Sequence, residues 1–156
     1  MLTPLLLLTC LGTALVGGVF FAFSSFVMKA LGQLPGGAGV AAMQRINVVV
    51  INPVFLGAFM GTALLALACV VAAVMIRTEA RAPWVFAAGL CYLFGTFGVT
   101  MVCNVPRNNR LATLEAMSPQ ADAYWPEYLR VWTRWNHVRT AAAVVAAACA
   151  LVAQLP

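Results

Sequence analysis

Residues 54–76 read VFLGAFMGTALLALACVVAAVMI, a run of 23 residues in which every side chain but one threonine is apolar or absent. A transmembrane α-helix needs about 20 such residues to cross the hydrocarbon core of a bilayer. Asn52-Pro53 precedes the run, as is typical of a helix start, and Arg77 follows it. The stretch therefore predicts a membrane-spanning helix, and the remainder of the chain repeats its pattern.

Three further apolar segments have a comparable length, namely residues 5–28, 84–103 and 140–155. A more polar helix beginning near Pro126 continues the last of them backwards, and a helical stretch at residues 40–51 lies between the first two spans. We predict an all-α fold, a four-helix transmembrane bundle with a short interfacial helix in the first long connection and an extended fourth helix. Residues 1–156 are predicted to form one domain.

The composition supports a membrane location. The 156 residues are 63% hydrophobic and 8% charged, whereas about a quarter of a soluble domain is charged. The net charge of +5 comes from Lys and Arg scattered between apolar segments, which favours lipid headgroups or an anionic ligand over nucleic acid. We therefore expect membrane lipids as partners and no nucleic acid. Gly57 and Gly61 form a GxxxG pattern, which predicts close packing of the second span against another helix.

The basic residues also predict an orientation. Because the number of spans is even, the two longer connections share one face, which we call the long-connection face. Most of the cations lie on that face: Lys29, Arg45, Arg107, Arg110, Arg130, Arg134 and Arg139. Only Arg77 and Arg81 lie on the other side. The positive-inside rule favours the long-connection face in the cytoplasm, and we expect the membrane to be a bacterial inner membrane.

The segment 125–140, WPEYLRVWTRWNHVRT, concentrates side chains that can carry chemistry. At about 100° per residue it presents an aromatic face with Trp132, Trp135, Asn136 and Arg139. The tryptophans either line a pocket or form an interfacial aromatic belt. Arg139 either holds an anionic group with Asn136 or extends to the interface. His137, the only histidine, falls on the opposite, basic face, and is either a proton acceptor or an interfacial residue.

Two more groups of amide side chains belong to the same face of the membrane. Gln44 and Asn47 lie one helical turn apart, and Asn104 and Asn108 flank a proline that we expect to end the third span. Each pair has a structural alternative, as part of a surface helix or as a helix cap. If they converge with the aromatic face, they form an apolar site with a few polar groups, which is the usual character of a small-molecule site.

Metal chemistry is not expected. A di-iron or similar site needs several His and carboxylate ligands, whereas this chain has one histidine and four carboxylates, all outside the spans. The five cysteines form no CxxC pair. The spans also lack the buried acids expected of a proton-coupled transporter.

Four stretches together resemble the DUF1772 family, which includes the fungal anthrone oxygenases. They are GGVFFAFSSFVM at residues 17–28, MQRIN at 43–47, NVPRN at 104–108 and WTRWNHVR at 132–139. The resemblance implies a cofactor-independent oxygenase, an oxidoreductase of the monooxygenase kind, that oxidises a planar phenolic or polyketide compound with O2 without metal or flavin. The alternative is a non-catalytic membrane protein that binds a lipid or small molecule, or a subunit of a membrane complex.

The resemblance also implies roles for the candidate residues. Trp132 and Trp135 would stack on a hydrophobic aromatic substrate, and His137 would accept its proton. Arg139 would stabilise the oxyanion together with amide side chains. The full candidate set is His137, Arg139 and Asn136 for catalysis, and Gln44, Asn47, Asn104, Asn108, Trp132 and Trp135 for substrate binding.

Overall fold

The structure is a computed structural model that describes residues 2–35 and 37–155; Met1, Gly36 and Pro156 lie outside the described part. Four helices are long and apolar enough to cross a membrane. They are α1 (Leu2–Gly32), α3 (Pro53–Met75), α4 (Ala82–Ala112) and α5 (Pro119–Val152). The short helix α2 (Ala38–Val49) lies in the first long connection. The described residues contain no strand, so the predicted all-helical fold is confirmed.

Helix α3 shows how the sequence starts a span. The Asn52 side chain accepts hydrogen bonds from the backbone amides of Val54 and Phe55 at 3.1 and 3.0 Å. Pro53 occupies the first turn, where its missing N–H costs nothing. These contacts satisfy amides that have no partner within the helix. The Asn-Pro signal was therefore interpreted correctly.

The third span does not end at Asn104-Val105-Pro106 as expected. Helix α4 passes through Pro106 and continues to Ala112. The turns before it, Cys91–Gly98 and Thr100–Asn104, are π-helical. A wider turn shifts the hydrogen-bond ladder just before the proline, so the carbonyl that would oppose its ring is displaced.

The fourth helix also begins earlier than expected, at Pro119 and not near Pro126. Ser118 caps it by accepting a hydrogen bond from the Ala121 amide at 3.2 Å. Pro126 lies inside the helix and is exposed, as is Asp122 one turn before it. Water can therefore solvate the Asp122 carbonyl, which loses its partner to the proline. The second long connection shrinks to residues 113–118.

Glycines bring the helices together, although the GxxxG prediction is wrong. A Cβ on Gly57 or Gly61 would meet nothing within 4 Å, so both glycines face away from the bundle. On Gly89 it would lie 2.6 Å from the backbone oxygen of Ala66 in α3. On Gly95 it would collide with Ala142 of α5. A Cβ on Gly12 of α1 would likewise collide with Thr62 of α3, so the close approaches involve α1 as well as α4.

The ends of α1, α4 and α5 on the long-connection face extend beyond the bilayer core. Helices of this length span about 46–51 Å at 1.5 Å per residue, against roughly 30 Å of hydrocarbon. With α2 they enclose a hydrophobic cluster. Its buried members are Met28, Leu31, Val40, Met43, Leu111, Ala121, Tyr124, Tyr128 and Trp132. This cluster forms one boundary of the candidate site.

Candidate functional site

Arg139 is the most unusual side chain in the bundle. It is only 5% exposed and lies about 20 Å along α5 from the helix end at Val152, which is well inside a bilayer core. Its guanidinium carbon is 3.9 Å from the centre of the Phe20 ring and 4.7 Å from that of Trp132. The charge is thus held between two aromatic faces, each of which attracts a cation.

The hydrogen bonds of Arg139 go to neutral groups. Nε donates to Asn136 Oδ1 at 2.8 Å and Nη1 to Thr100 Oγ1 at 3.4 Å. Among residues 2–35 and 37–155 the one ion pair joins Arg81 to Glu79, on the membrane face opposite the long connections. Arg139 therefore has no carboxylate partner among those residues. A buried cation without a counter-ion is costly in a membrane and typically marks a functional position.

Asn136 extends this arrangement to α1. The side chain is fully buried, and its Nδ2 donates to the Phe20 carbonyl at 2.7 Å and to Ser24 Oγ at 2.6 Å. Thr140 donates to the backbone carbonyl of Asn136 at 2.7 Å, and its oxygen is 3.1 Å from Ser24 Oγ. Because the Thr140 hydrogen is already used, Ser24 is the donor between the two hydroxyls. We call Arg139–Asn136–Ser24 the relay.

A second network lies beside Trp132. Asn108 Oδ1 accepts from the Tyr128 hydroxyl at 2.8 Å and from Trp132 Nε1 at 2.7 Å. Asn104 Nδ2 donates to the Trp132 carbonyl at 3.1 Å, while its buried Oδ1 has no partner. The buried Nδ2 of Asn47 likewise has no hydrogen-bond partner among the described residues. These two unpaired atoms are one acceptor and one donor that a bound molecule or water can satisfy.

Three of the predicted residues lie outside these networks: Gln44, Trp135 and His137, which lines a groove between α1 and α5. The Gln44 amide donates to the carbonyls of Leu111 and Leu114, both at 2.8 Å, and so caps the end of α4. Trp135 is 36% exposed and faces away from the bundle, whereas Trp132 is buried. The remaining amides, together with Trp132 and Arg139, do converge at the long-connection end. These side chains therefore lie together as expected, and their roles in binding stay predictions.

A groove between α1 and α5 gives access to the relay. One cavity of about 650 Å³ is lined by Ser24, Ser25, Met28, Lys29, Gly32, Gln33, Pro126, Leu129, Arg130, Thr133, Arg134 and His137. A second of about 340 Å³ continues it deeper, past Phe21, Thr140 and Ala141. Ser24, Ser25 and His137 line both. We call the combined space the α1/α5 groove; it is an open depression on the side of the bundle, and most of its lining residues are exposed.

His137 lies on the wall of this groove. The side chain is exposed and shares the basic side of α5 with Arg130 and Arg134, as helical periodicity predicted. That side is not simply solvated, because α1 faces it across the groove. The histidine and the relay hydroxyl of Ser24 therefore line the same groove, which the sequence did not indicate.

Ser24 was missed as a candidate. It lies with Ser25 in a π-helical turn of α1, Phe23–Val27, and such turns often occur at functional sites. The available signal was two adjacent serines in the span of residues 5–28, whose other hydroxyl side chains are Thr9 and Thr13. No sequence rule specifies that one of the two serines meets Asn136, since that contact joins residues distant in the chain.

Metal ligation has no evident location in the described part of the chain. No group of three or more His, Cys, Asp or Glu side chains able to hold an ion occurs among those residues. The expectation that the protein works without a metal or flavin stays a prediction.

The fold and this site together define a class of protein, an integral membrane four-helix bundle with a buried, unpaired arginine behind a lateral groove. The chain belongs to the anthrone oxygenase family, whose model matches residues 48–149, from the end of α2 to near the end of α5. This confirms the DUF1772 resemblance. No curated protein and no solved structure was found to match the chain. Helix α1, which supplies Ser24, lies outside the matched region.

Proposed function

We propose that this protein is an anthrone oxygenase-like enzyme that binds a planar phenolic compound in the α1/α5 groove and oxidises it with O2. The observation that carries the proposal is the location of His137, a proton acceptor, in the same groove as the hydroxyl of the relay. Family membership supplies the reaction class.

The first step is removal of a proton. An anthrone has a methylene group beside two aromatic rings, and deprotonation gives a carbanion conjugated with its carbonyl oxygen. In the proposed mechanism His137 takes that proton as the general base. The groove lies beside lipid, so the anion forms where little water competes for it.

The relay stabilises the negative oxygen. Arg139 donates to the Asn136 carbonyl oxygen, and Asn136 donates to Ser24 Oγ. Each bond polarises the next, so the Ser24 hydroxyl becomes a stronger donor. Its hydrogen points to Thr140 at rest and can turn to a substrate oxygen in the groove. This is oxyanion stabilisation by a prearranged donor.

Oxygen then completes the reaction. The electron-rich anion transfers an electron to O2, and carbon–oxygen bond formation between the resulting radical pair gives a peroxide. Protonation gives the hydroperoxide, and loss of water leaves a ketone. One oxygen atom enters the product and the other enters water, so methylene plus O2 gives carbonyl plus H2O.

Oxygen uptake by variants tests the site. The protein is reconstituted in nanodiscs, treated with a chelator, and supplied with anthrone while oxygen consumption is measured. Ser24→Ala and Asn136→Ala each remove one member of the relay, and we expect a loss of about 10²-fold or more in rate, as for one oxyanion donor. Val138→Ala, next to His137 but facing outward at 44% exposure, serves as the matched control. Wild-type rates in both relay variants would refute the assignment.

A further inference from the structure

A group of three cations lies at the outer part of the α1/α5 groove. Lys29 comes from the last turns of α1, and Arg130 and Arg134 lie one turn apart on α5. All three are exposed. The groove lining contains no carboxylate, and none of the three forms an ion pair in the described part of the chain. Three like charges from two helices thus line one cavity; Glu127, one turn before Arg130, is outside that lining.

The position of this group relative to the membrane identifies a suitable ligand. Lys29 follows the apolar residues of α1, so it lies where the hydrocarbon core gives way to headgroups. Further into the bilayer the lining includes the apolar side chains of Phe21 and Ala141. A ligand for this position has an anionic group at headgroup level and a hydrocarbon part directed into the bilayer. An anionic phospholipid has that form.

We propose that the outer α1/α5 groove binds the headgroup of one anionic phospholipid, with its phosphate between Lys29, Arg130 and Arg134. Gln33, which lines the same cavity, provides an amide for the headgroup hydroxyls. Ser24 lies more than one helical turn deeper than Lys29 on α1, and Thr140 more than one turn deeper than Arg134 on α5. With the acyl chains in the surrounding bilayer, this deeper part of the groove is left to another molecule. The lipid is therefore a bound partner and not the compound oxidised.

Lipid retention measures this directly. The full chain is purified from nanodiscs of phosphatidylcholine containing phosphatidylglycerol, and native mass spectrometry counts the lipids that remain bound. We expect one phosphatidylglycerol to be retained in preference to phosphatidylcholine. The triple variant K29Q/R130Q/R134Q is expected to lower that retention roughly tenfold or more, since each surface cation contributes to anionic-lipid binding.

Two controls keep the result interpretable. R77Q/R81Q removes the cations of the opposite face and is expected to retain the lipid, while K29R/R130K/R134K keeps the charge and should retain most of it.

Melting temperatures with added phosphatidylglycerol, phosphatidylcholine or inorganic phosphate separate a lipid site from a phosphate site. Equal retention of both lipids, unchanged retention in the triple variant, or full stabilisation by inorganic phosphate would each overturn the proposal.

Discussion

At the residue scale, the contacts of Arg139 make a prediction about stability. In Arg139→Ala the Asn136 Oδ1 loses its donor inside the membrane, and the space between Phe20 and Trp132 is left empty. An unpaired buried acceptor costs about 1–3 kcal/mol, and the cavity adds to that. Reversible unfolding in mixed micelles should show a loss of at least about 2 kcal/mol, with a smaller loss for Arg139→Met, which fills the space.

The control for this measurement is Arg134→Ala. Arg134 is exposed on the same helix, and substitutions at such positions usually change stability by less than about 0.5 kcal/mol. If Arg139→Ala and Arg134→Ala lower stability equally, the buried contacts of Arg139 do not stabilise the fold.

His137 makes the second prediction at this scale. Because general-base catalysis contributes about 10²–10⁴-fold, His137→Ala should lower anthrone turnover by at least about 100-fold. The side chain lines an open groove, so its removal leaves space for imidazole added to the buffer. Partial recovery of turnover with imidazole is expected in His137→Ala and not in Ser24→Ala. Full activity of the alanine variant without imidazole would exclude His137 as the base.

The sequence indicated these residues unevenly. It identified Asn136 and Arg139 because two strongly polar groups occur together in an aromatic, membrane-inserted stretch. It placed His137 on the basic side of α5 but not in the α1/α5 groove, since a helical wheel shows which side a residue is on but not whether another helix covers that side. Ser24 and Thr100 act through contacts with α5, and only the packing of the helices reveals them.

At the scale of helices, replacing a glycine by alanine should change the stability differently in α4 and in α3. Gly89→Ala places a Cβ 2.6 Å from the backbone oxygen of Ala66, which cannot move without separating the helices. Such overpacking costs about 1–3 kcal/mol. Gly61→Ala meets nothing within 4 Å and should be neutral or stabilising by up to about 1 kcal/mol, because alanine favours the helix. Unfolding of both variants in mixed micelles checks the pair, and the reverse order would contradict this packing.

Helix boundaries were harder to predict than helix number. Four apolar runs specify four spans, since hydrocarbon thickness sets their length. Apolar content predicts helix boundaries at Pro106 and Pro126, yet both prolines lie within helices. A π-helical turn before Pro106 accommodates that proline. At Pro126 the carbonyl left without a partner is exposed to water. Neither the π-helical turn nor the exposed carbonyl can be predicted from the distribution of apolar residues.

At the scale of the whole molecule, the basic residues predict its orientation. If the long-connection face is cytoplasmic, a cysteine in the α3–α4 turn is accessible from outside and one in the α4–α5 connection is not. Thr78→Cys and Glu115→Cys, both at exposed positions, are introduced into a background in which the five native cysteines are replaced. A membrane-impermeant maleimide should label Thr78→Cys in intact cells and Glu115→Cys only after permeabilisation. The opposite labelling would reverse the orientation.

Membrane location and family membership follow from properties of the entire chain, namely apolar spans and the match over residues 48–149. Catalysis is a more specific claim, because a buried arginine and a groove can also serve a binding protein. What distinguishes an enzyme is turnover that the protein accelerates. Anthrones also oxidise slowly without protein, so the rate in empty nanodiscs is the necessary baseline.

The most direct test is therefore the oxidation of anthrone under ¹⁸O2 by metal-free wild-type protein in nanodiscs, followed by mass spectrometry of the anthraquinone. The proposed reaction predicts one labelled oxygen atom per product molecule, formed much faster than in empty nanodiscs and slowed to near that baseline by His137→Ala. Product formation at the same rate with and without the protein would contradict the account.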